Sequence, residues 1–177
     1  MTISGRPLDG EFADYAKSDI DLVPGDDAVA ALRAQGEQVV ALFSTLRDDD
    51  VRGLAYAPGK WTLKEVVGHL ADDERIFAYR ALCVARGDAR PLPGFDEQEY
   101  MAASRFESRA LADVLREYQS VRAASVTLFD SLDDTAWLRR GIVNGYEASV
   151  RGLAFHIAGH ELHHLRIVRE KYLATRP

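Results

Sequence analysis

The stretch VRGLAFHIAGHELHHLRIVREKYL, residues 150–173, repeats its apolar positions with the period of a helix and sets histidines among them. With His160 as origin and about 100° turned per residue, Leu153, Ile157, His164, Ile167 and Val168 all fall within about 80° of it. A helix of this pattern is driven to bury its stripe, and two imidazoles go inward with the apolar groups. Ser149 supplies the N-cap oxygen, so the helix is predicted to run from there to about Leu173.

Three earlier segments carry the same period. Val29, Leu32, Val39, Val40, Phe43 and Leu46 mark a first helix that starts at Asp26 or Asp27 and ends near the Asp48–Asp50 run. In WTLKEVV, Thr62 stands three residues before Glu65, the spacing at which each side chain satisfies the other's exposed amide; a second helix runs from here to about Arg86, stopped by Gly87. The third takes Ser108 to about Leu132 through Leu111, Val114, Leu115, Tyr118, Val121, Val126 and Phe129, and breaks at Asp133–Asp134. Between the second and third, GDARPLPGFDEQEY reads as a long connection, a crossover rather than a tight antiparallel turn, held down by Phe95 and Tyr100. The polar stretch around Gly141, Asn144 and Gly145 suits a short hairpin. Residues 1–26, with Gly5, Pro7, Gly10, Pro24 and Gly25, show no sustained period and read as a surface lead-in anchored through Phe12 and Tyr15. The expected fold class is all-α, a four-helix bundle with a long crossover connection, in one domain over 27–177 behind the 1–26 segment.

Charge and composition exclude several partners. With 28 acidic against 22 basic residues and a formal charge of −6, the general attraction that draws a protein to nucleic acid is absent. No segment approaches the roughly 20 apolar residues of a membrane span, and the first residues lack the basic start and apolar run of a secretion signal. One cysteine, Cys83 between Leu82 and Val84, builds no disulfide framework and suits a small buried apolar position. The expectation is a soluble cytoplasmic protein with no membrane or nucleic-acid partner.

His160 and His164 lie on adjacent turns with Cβ atoms roughly 5–6 Å apart, close enough for both rings to reach one divalent ion. Two ligands hold an ion poorly, and the candidate for a third is His69. On the second helix Val66, Leu70, Phe77 and Val84 cluster within about 40°, and His69 lies about 60° to one side, toward a neighbouring helix. Asp73 projects about 20° from the same centre, and an inward carboxylate needs a partner. It is read as an additional ligand, as an acid or base, or as the ion-pair partner of Arg80 on the same stripe. Glu161 lies about 100° around the helix from His160 and is read as orienting a ligand, pairing with a cation, or acting as a base. His156 is a reserve ligand and His163 a surface or outer residue. Residues 160–164, HELHH, satisfy the zinc-protease pattern H-E-x-x-H, but the longer pattern fails, with Ile167 and Glu170 where Gly and His belong.

The segments KWTLKEVVGHLADDERIFAYR and HIAGHELHHLRI together resemble the DinB-like superfamily, also described as damage-inducible or bacillithiol-transferase-like bundle proteins. The likeness runs from about Asp27 to Leu173. It implies a bundle of crossed topology, often a homodimer, with a metal on three histidines that correspond here to His69, His160 and His164. Members include thiol transferases that use a low-molecular-weight thiol, a mycothiol-dependent isomerase, and proteins with no assigned activity. Many carry a Gln three residues after the last ligand histidine, where this chain has Ile167, so no particular substrate carries over.

Three neutral imidazoles leave a metal position open for a thiol or water. The expected activity is therefore attack on a small electrophilic molecule, as a thiol S-transferase or hydrolase, with Asp73 or Glu161 handling protons. Zn²⁺, Ni²⁺ and Fe²⁺ all suit three nitrogens. The rival expectation is a non-catalytic bundle that the ion only stabilises.

Overall fold

A computed structural model describes residues 5–174. In chain order, a 3₁₀ turn at Asp14–Ala16 leads into α1 (Lys17–Ile20), followed by α2 (Ala28–Phe43), α3 (Asp48–Val51), α4 (Leu63–Ala85), α5 (Glu97–Ala103), α6 (Leu111–Asp130) and α7 (Asp134–Leu138). The hairpin β1 (Arg140–Val143) and β2 (Tyr146–Ser149) then leads into α8 (Val150–Ile167), which continues as a π-helical turn over Val168–Tyr172. The long helices α2, α4 and α8 start where the sequence places them, whereas α6 starts at Leu111, three residues after Ser108, behind Ala110 and with no side-chain cap. Asp27 accepts from the Ala30 amide, Thr62 and Glu65 cap each other reciprocally, and Ser149 accepts from Gly152.

Both α2 and α4 pack chiefly on α6 and α8. Helices consecutive in the sequence, α2 with α4 and α6 with α8, therefore sit across the diagonals of the bundle. Long connections, 44–62 and 131–149, span those diagonals, whereas 86–110, where the sequence predicts the crossover, joins two helices that lie side by side. The 86–110 connection is fixed to the hairpin: the Leu92 amide donates to Ile142 O at 2.8 Å and the Asn144 amide to Leu92 O at 2.9 Å. Asn144 and Gly145 at the hairpin tip both have positive φ, 52° and 80°, the conformation that matches a two-residue turn to the twist of its strands. Phe95 packs against the core, while Tyr100 is exposed and meets Phe95 edge-on at 5.2 Å.

Residues 5–26 do more than line the surface. Phe12, Ala16, Ile20 and Val23 are buried in the same apolar cluster as Leu153 and Phe155 of α8, although Tyr15 is exposed. The segment lies against the α8 backbone because Gly152 and Gly159, two turns apart, leave room for it. A Cβ on either would lie 2.0 Å from Glu11 O or 2.3 Å from Asp19 O. Buried Glu11 accepts from Arg151 Nε at 2.8 Å and from the Leu8 amide at 2.6 Å, which anchors the segment further. No helix of the described residues is long and apolar enough to cross a membrane.

The apolar interior forms two clusters, one around Leu32, Phe77, Phe129 and Phe155, the other around Phe43, Leu70, Tyr118 and Leu165. Between them along the helices lie buried polar side chains: Gln35 on α2, Asp73 and Glu74 on α4, Arg122 and Ser125 on α6, and Glu161 on α8. Arg122 forms the hub. Its Nε and Nη2 donate to Glu74 at 2.9 Å, Nη2 also donates to Glu161 Oε2 at 2.7 Å, and Nη1 donates to Leu32 O at 2.8 Å. Tyr118 donates to Glu161 Oε2 at 2.6 Å, and the Gln35 amide, oriented to donate, reaches Glu161 Oε1 at 3.2 Å. One guanidinium thus binds all four bundle helices, and its two carboxylate partners hold it protonated despite burial.

Arg122→Ala leaves two buried carboxylates with no cation. We expect it to lower the unfolding free energy by about 3–5 kcal/mol in urea denaturation.

Candidate metal centre

α4 and α8 pack directly on each other and bring His69, His160 and His164 together. The Nε2 atoms of His69 and His164 each lie 3.1 Å from Nε2 of His160, and all three fall within 4.8 Å of one another. The rings stand at 70–72° to each other, so three lone pairs converge from different directions. Zinc–nitrogen bonds of roughly 2.0–2.1 Å at tetrahedral angles separate ligand nitrogens by roughly 3.3–3.4 Å, close to the spacing seen here. His69 is set by its surroundings: the Trp61 ring lies 4.7 Å away, and the Phe106 ring packs onto Gly68, where a Cβ would come within 2.3 Å of it.

Burial keeps these rings neutral. It pushes His69 down to about 4 and His164 down to about 3, and it moves His160 well below the usual imidazole range, with the neighbouring rings adding to the effect. A neutral ring is the form that offers a lone pair to a cation.

Asp73 is buried beside this cluster with Oδ2 3.3 Å from His160 Nδ1. Asp73 thus stands at the Nδ1 edge of His160, while the Nε2 edge of the same ring faces His69 and His164. Because Asp73 meets the far edge of the ring, it does not stand among the three Nε2 atoms as an additional ligand. No contact within 4.0 Å joins Asp73 to Arg80, the pairing expected from their common stripe, although the Arg80 charge still acts on the Asp73 carboxyl through space. Arg80 instead donates to Pro93 O at 2.6 Å and lies over the Phe77 ring at 4.7 Å. Sharing a helix stripe sets direction, but two turns of separation let each side chain find a nearer partner on another element. Desolvation pushes the Asp73 carboxyl up.

The other sequence candidates are distributed around the cluster. Glu161 points into the Arg122 hub, both of its oxygens engaged. The 100° step from His160 decides this, and neither the water-activating role that HELHH suggests nor the orienting of a ligand histidine matches the placement. His156 stacks on Phe77 at 3.8 Å, with Nε2 3.9 Å from Asp73 Oδ2, and stays outside the trio. His163 pairs with Asp19 at 3.2 Å, tying α8 to α1. Cys83 is half-buried against the apolar core.

Glu97 is the site residue that sequence reading missed. Its Oε2 lies 4.0 Å from His69 Nε2 and its side chain is half exposed, so a carboxylate stands at the open edge of the cluster. The helix start that carries it was legible, since Asp96 accepts from the Gln98 and Glu99 amides, but nothing local indicates that this turn leans on His69. Cavities open on both sides. One of about 270 Å³ is lined by His160, Asp73, His156, Arg80 and Phe95, another of about 180 Å³ by His164, Trp61, Lys60 and Tyr172, and Glu97 borders both.

Known proteins place this arrangement. A family model described as the DinB superfamily matches residues 31–168. Among solved structures, the chain is similar to YfiT from Bacillus subtilis, described as a probable metal-dependent hydrolase with an unusual four-helix bundle topology. The TM-score is 0.69 at 16% identity, over 94% of this chain and 91% of that one. It is also similar to a mycothiol-dependent maleylpyruvate isomerase, with a TM-score of 0.65 at 12% identity, over 78% of this chain and 58% of that one. No curated protein matches in sequence. At such identities the likeness is one of fold. The family match spans the histidine-bearing parts of α4 and α8 and most of α2 and all of α6 besides, and this chain belongs to the DinB superfamily.

Proposed function

We propose that His69, His160 and His164 hold one divalent metal ion and that the protein is a metal-dependent enzyme acting on small electrophilic molecules, as a thiol S-transferase or a hydrolase. The observation that carries this reading is the convergence of three neutral Nε2 atoms with Asp73 on the outer edge of His160, a set of three protein ligands beside open cavities. Bound there, Zn²⁺, Ni²⁺ or Fe²⁺ supplies positive charge that makes a thiol or water at an open position anionic near neutral pH.

The chain's own residues do the remainder. Asp73 keeps His160 in the tautomer that presents Nε2, and it restricts rotation of the ring. Glu97, half exposed beside His69, accepts the proton that the thiol or water loses and passes it to solvent. In S-transfer, the sulfur forms a bond to the electrophilic carbon while the leaving group departs with the bonding electron pair; in hydrolysis, oxygen takes the place of sulfur. The descriptions of the two similar structures, a probable metal-dependent hydrolase and a thiol-dependent isomerase, are compatible with either co-reactant.

A second reading has one observation in its favour. With its oxygen 4.0 Å from His69 Nε2, Glu97 is near enough to close the site as a fourth ligand, in which case the ion ties α4 to α8 and stabilises the bundle without turnover.

Elemental analysis of untagged protein purified without chelator is expected to give about one divalent ion per chain, and none after joint replacement of His69, His160 and His164 by Ala. Asp73→Ala should weaken metal binding about 10- to 100-fold in a competition titration with a chelating dye. Glu97→Gln separates the two readings. With 1-chloro-2,4-dinitrobenzene and a panel of small thiols, a fall in kcat of about 100-fold at unchanged metal affinity marks a base. A fall in metal affinity with no turnover in the parent protein marks a structural ligand.

A further inference from the structure

Arg80 is the charged group in this region that the reading above leaves without a task. It is 4% exposed, yet its only hydrogen bond among the described residues is the one from Nη2 to Pro93 O. A guanidinium carries five N–H donors, and a buried one with a single hydrogen bond and no carboxylate within 4.0 Å is unusual; Asp73 acts on it only through space. Asp73, the nearest candidate by sequence, is engaged with His160. Aromatic faces hold the guanidinium in place, Phe77 at 4.7 Å and Phe95 at 5.6 Å from its central carbon. Its remaining donors border two cavities, one of about 290 Å³ lined by Tyr79, Pro93 and Tyr100 and the 270 Å³ one that Arg80 lines together with His160, and only the second reaches the histidines.

Resting on the three-histidine metal site, we propose that Arg80 receives a carboxylate on the molecule that enters this cavity, so that the ligand is a small organic acid whose reacting end lies at the histidines. The cavity matches such a molecule. Phe77, Phe95 and the stacked His156 ring supply walls for a flat or apolar body, and Arg80 supplies a planar fork suited to two parallel hydrogen bonds with a carboxylate. Asn144 narrows the same cavity from the hairpin tip. Its side chain packs where Gly94 has no Cβ, which would otherwise come within 2.1 Å of Asn144 Oδ1. Of the three acidic groups that line the cavity, Asp73 lies at His160, Asp19 pairs with His163 and Glu97 stands near His69, while Arg80 is the one arginine or lysine of the lining, so the anion's place is beside Arg80. The carboxylate belongs either to the thiol or to the electrophile, and the test has an arm for each.

The first arm uses full-length protein loaded with Co²⁺, whose visible spectrum reports thiol binding, titrated with mercaptoacetate, 3-mercaptopropionate and 4-mercaptobutyrate against the corresponding amides. The second compares kcat/KM for 4-chloro-3-nitrobenzoate and 4-chloro-3-nitrobenzamide with 2-mercaptoethanol. The expected result is a preference for the acid of about 10- to 100-fold in at least one arm, lost in Arg80→Met and reduced in Arg80→Lys, with binding of the neutral partner unchanged. Equal affinity for acid and amide in both arms of the parent protein overturns the proposal without recourse to any variant, as does a preference that survives Arg80→Met. Absence of a cobalt spectrum in the parent protein overturns the metal site itself, and the role of Arg80 with it.

Discussion

A layer of buried charge across the middle of the bundle is the constraint on which the rest of this structure depends. Arg122 can be buried only because Glu74 and Glu161 meet it, and the carboxylates can be buried only because Arg122 meets both and Tyr118 meets Glu161. The layer draws on all four long helices, so their heights and rotations are set jointly by hydrogen-bond geometry, which is far more directional than the apolar packing above and below it. The two apolar clusters provide the greater part of the driving force for folding, and the charge layer specifies one alignment for them.

That alignment also builds the histidine cluster. Asp73 and Glu74 are neighbours on α4, His160 and Glu161 neighbours on α8, and in each pair the residues point about 100° apart. One member of each pair faces the Arg122 hub and the other faces the histidines. The closed half of the layer is saturated with hydrogen bonds, whereas the other half is bordered by cavities and by the half-exposed Glu97. Rigidity is therefore supplied immediately behind the groups that are placed to do chemistry, on the same turns of the same helices.

The crossed arrangement has a related consequence. Because α4 and α8 are in direct contact, His69 and His160 meet although 91 positions separate them. The 86–110 connection folds back over the open side of that contact and delivers Glu97, Phe95 and Pro93, while residues 5–26 close the other flank by lying along Gly152 and Gly159. The walls of the cavity beside His160 are thus shared between α4 and α8, which supply Asp73, Phe77, Arg80, His156 and His160, and the segments laid on that frame, which supply Tyr15, Phe95 and Asn144.

Much of the architecture was legible in local patterns. The period of 3.6 residues, the caps at Asp27, Thr62 and Ser149, and the Asn144–Gly145 turn each depend on residues a few positions apart, and these features formed where those patterns put them, although the first long helix stops at Phe43, short of the Asp48–Asp50 run. The inward direction of His69, His160 and His164 was likewise carried by rotation along single helices. Tertiary structure alone decided partners: that Asp73 meets His160 and not Arg80, that Glu161 serves the hub, that Glu97 approaches His69, and that an aperiodic N-terminal segment is buried. The reason is physical. Helical phase follows from a fixed rotation per residue and can be counted along the chain, but the partner of a side chain depends on which distant segment arrives within about 3 Å, and that is settled only when the helices have crossed.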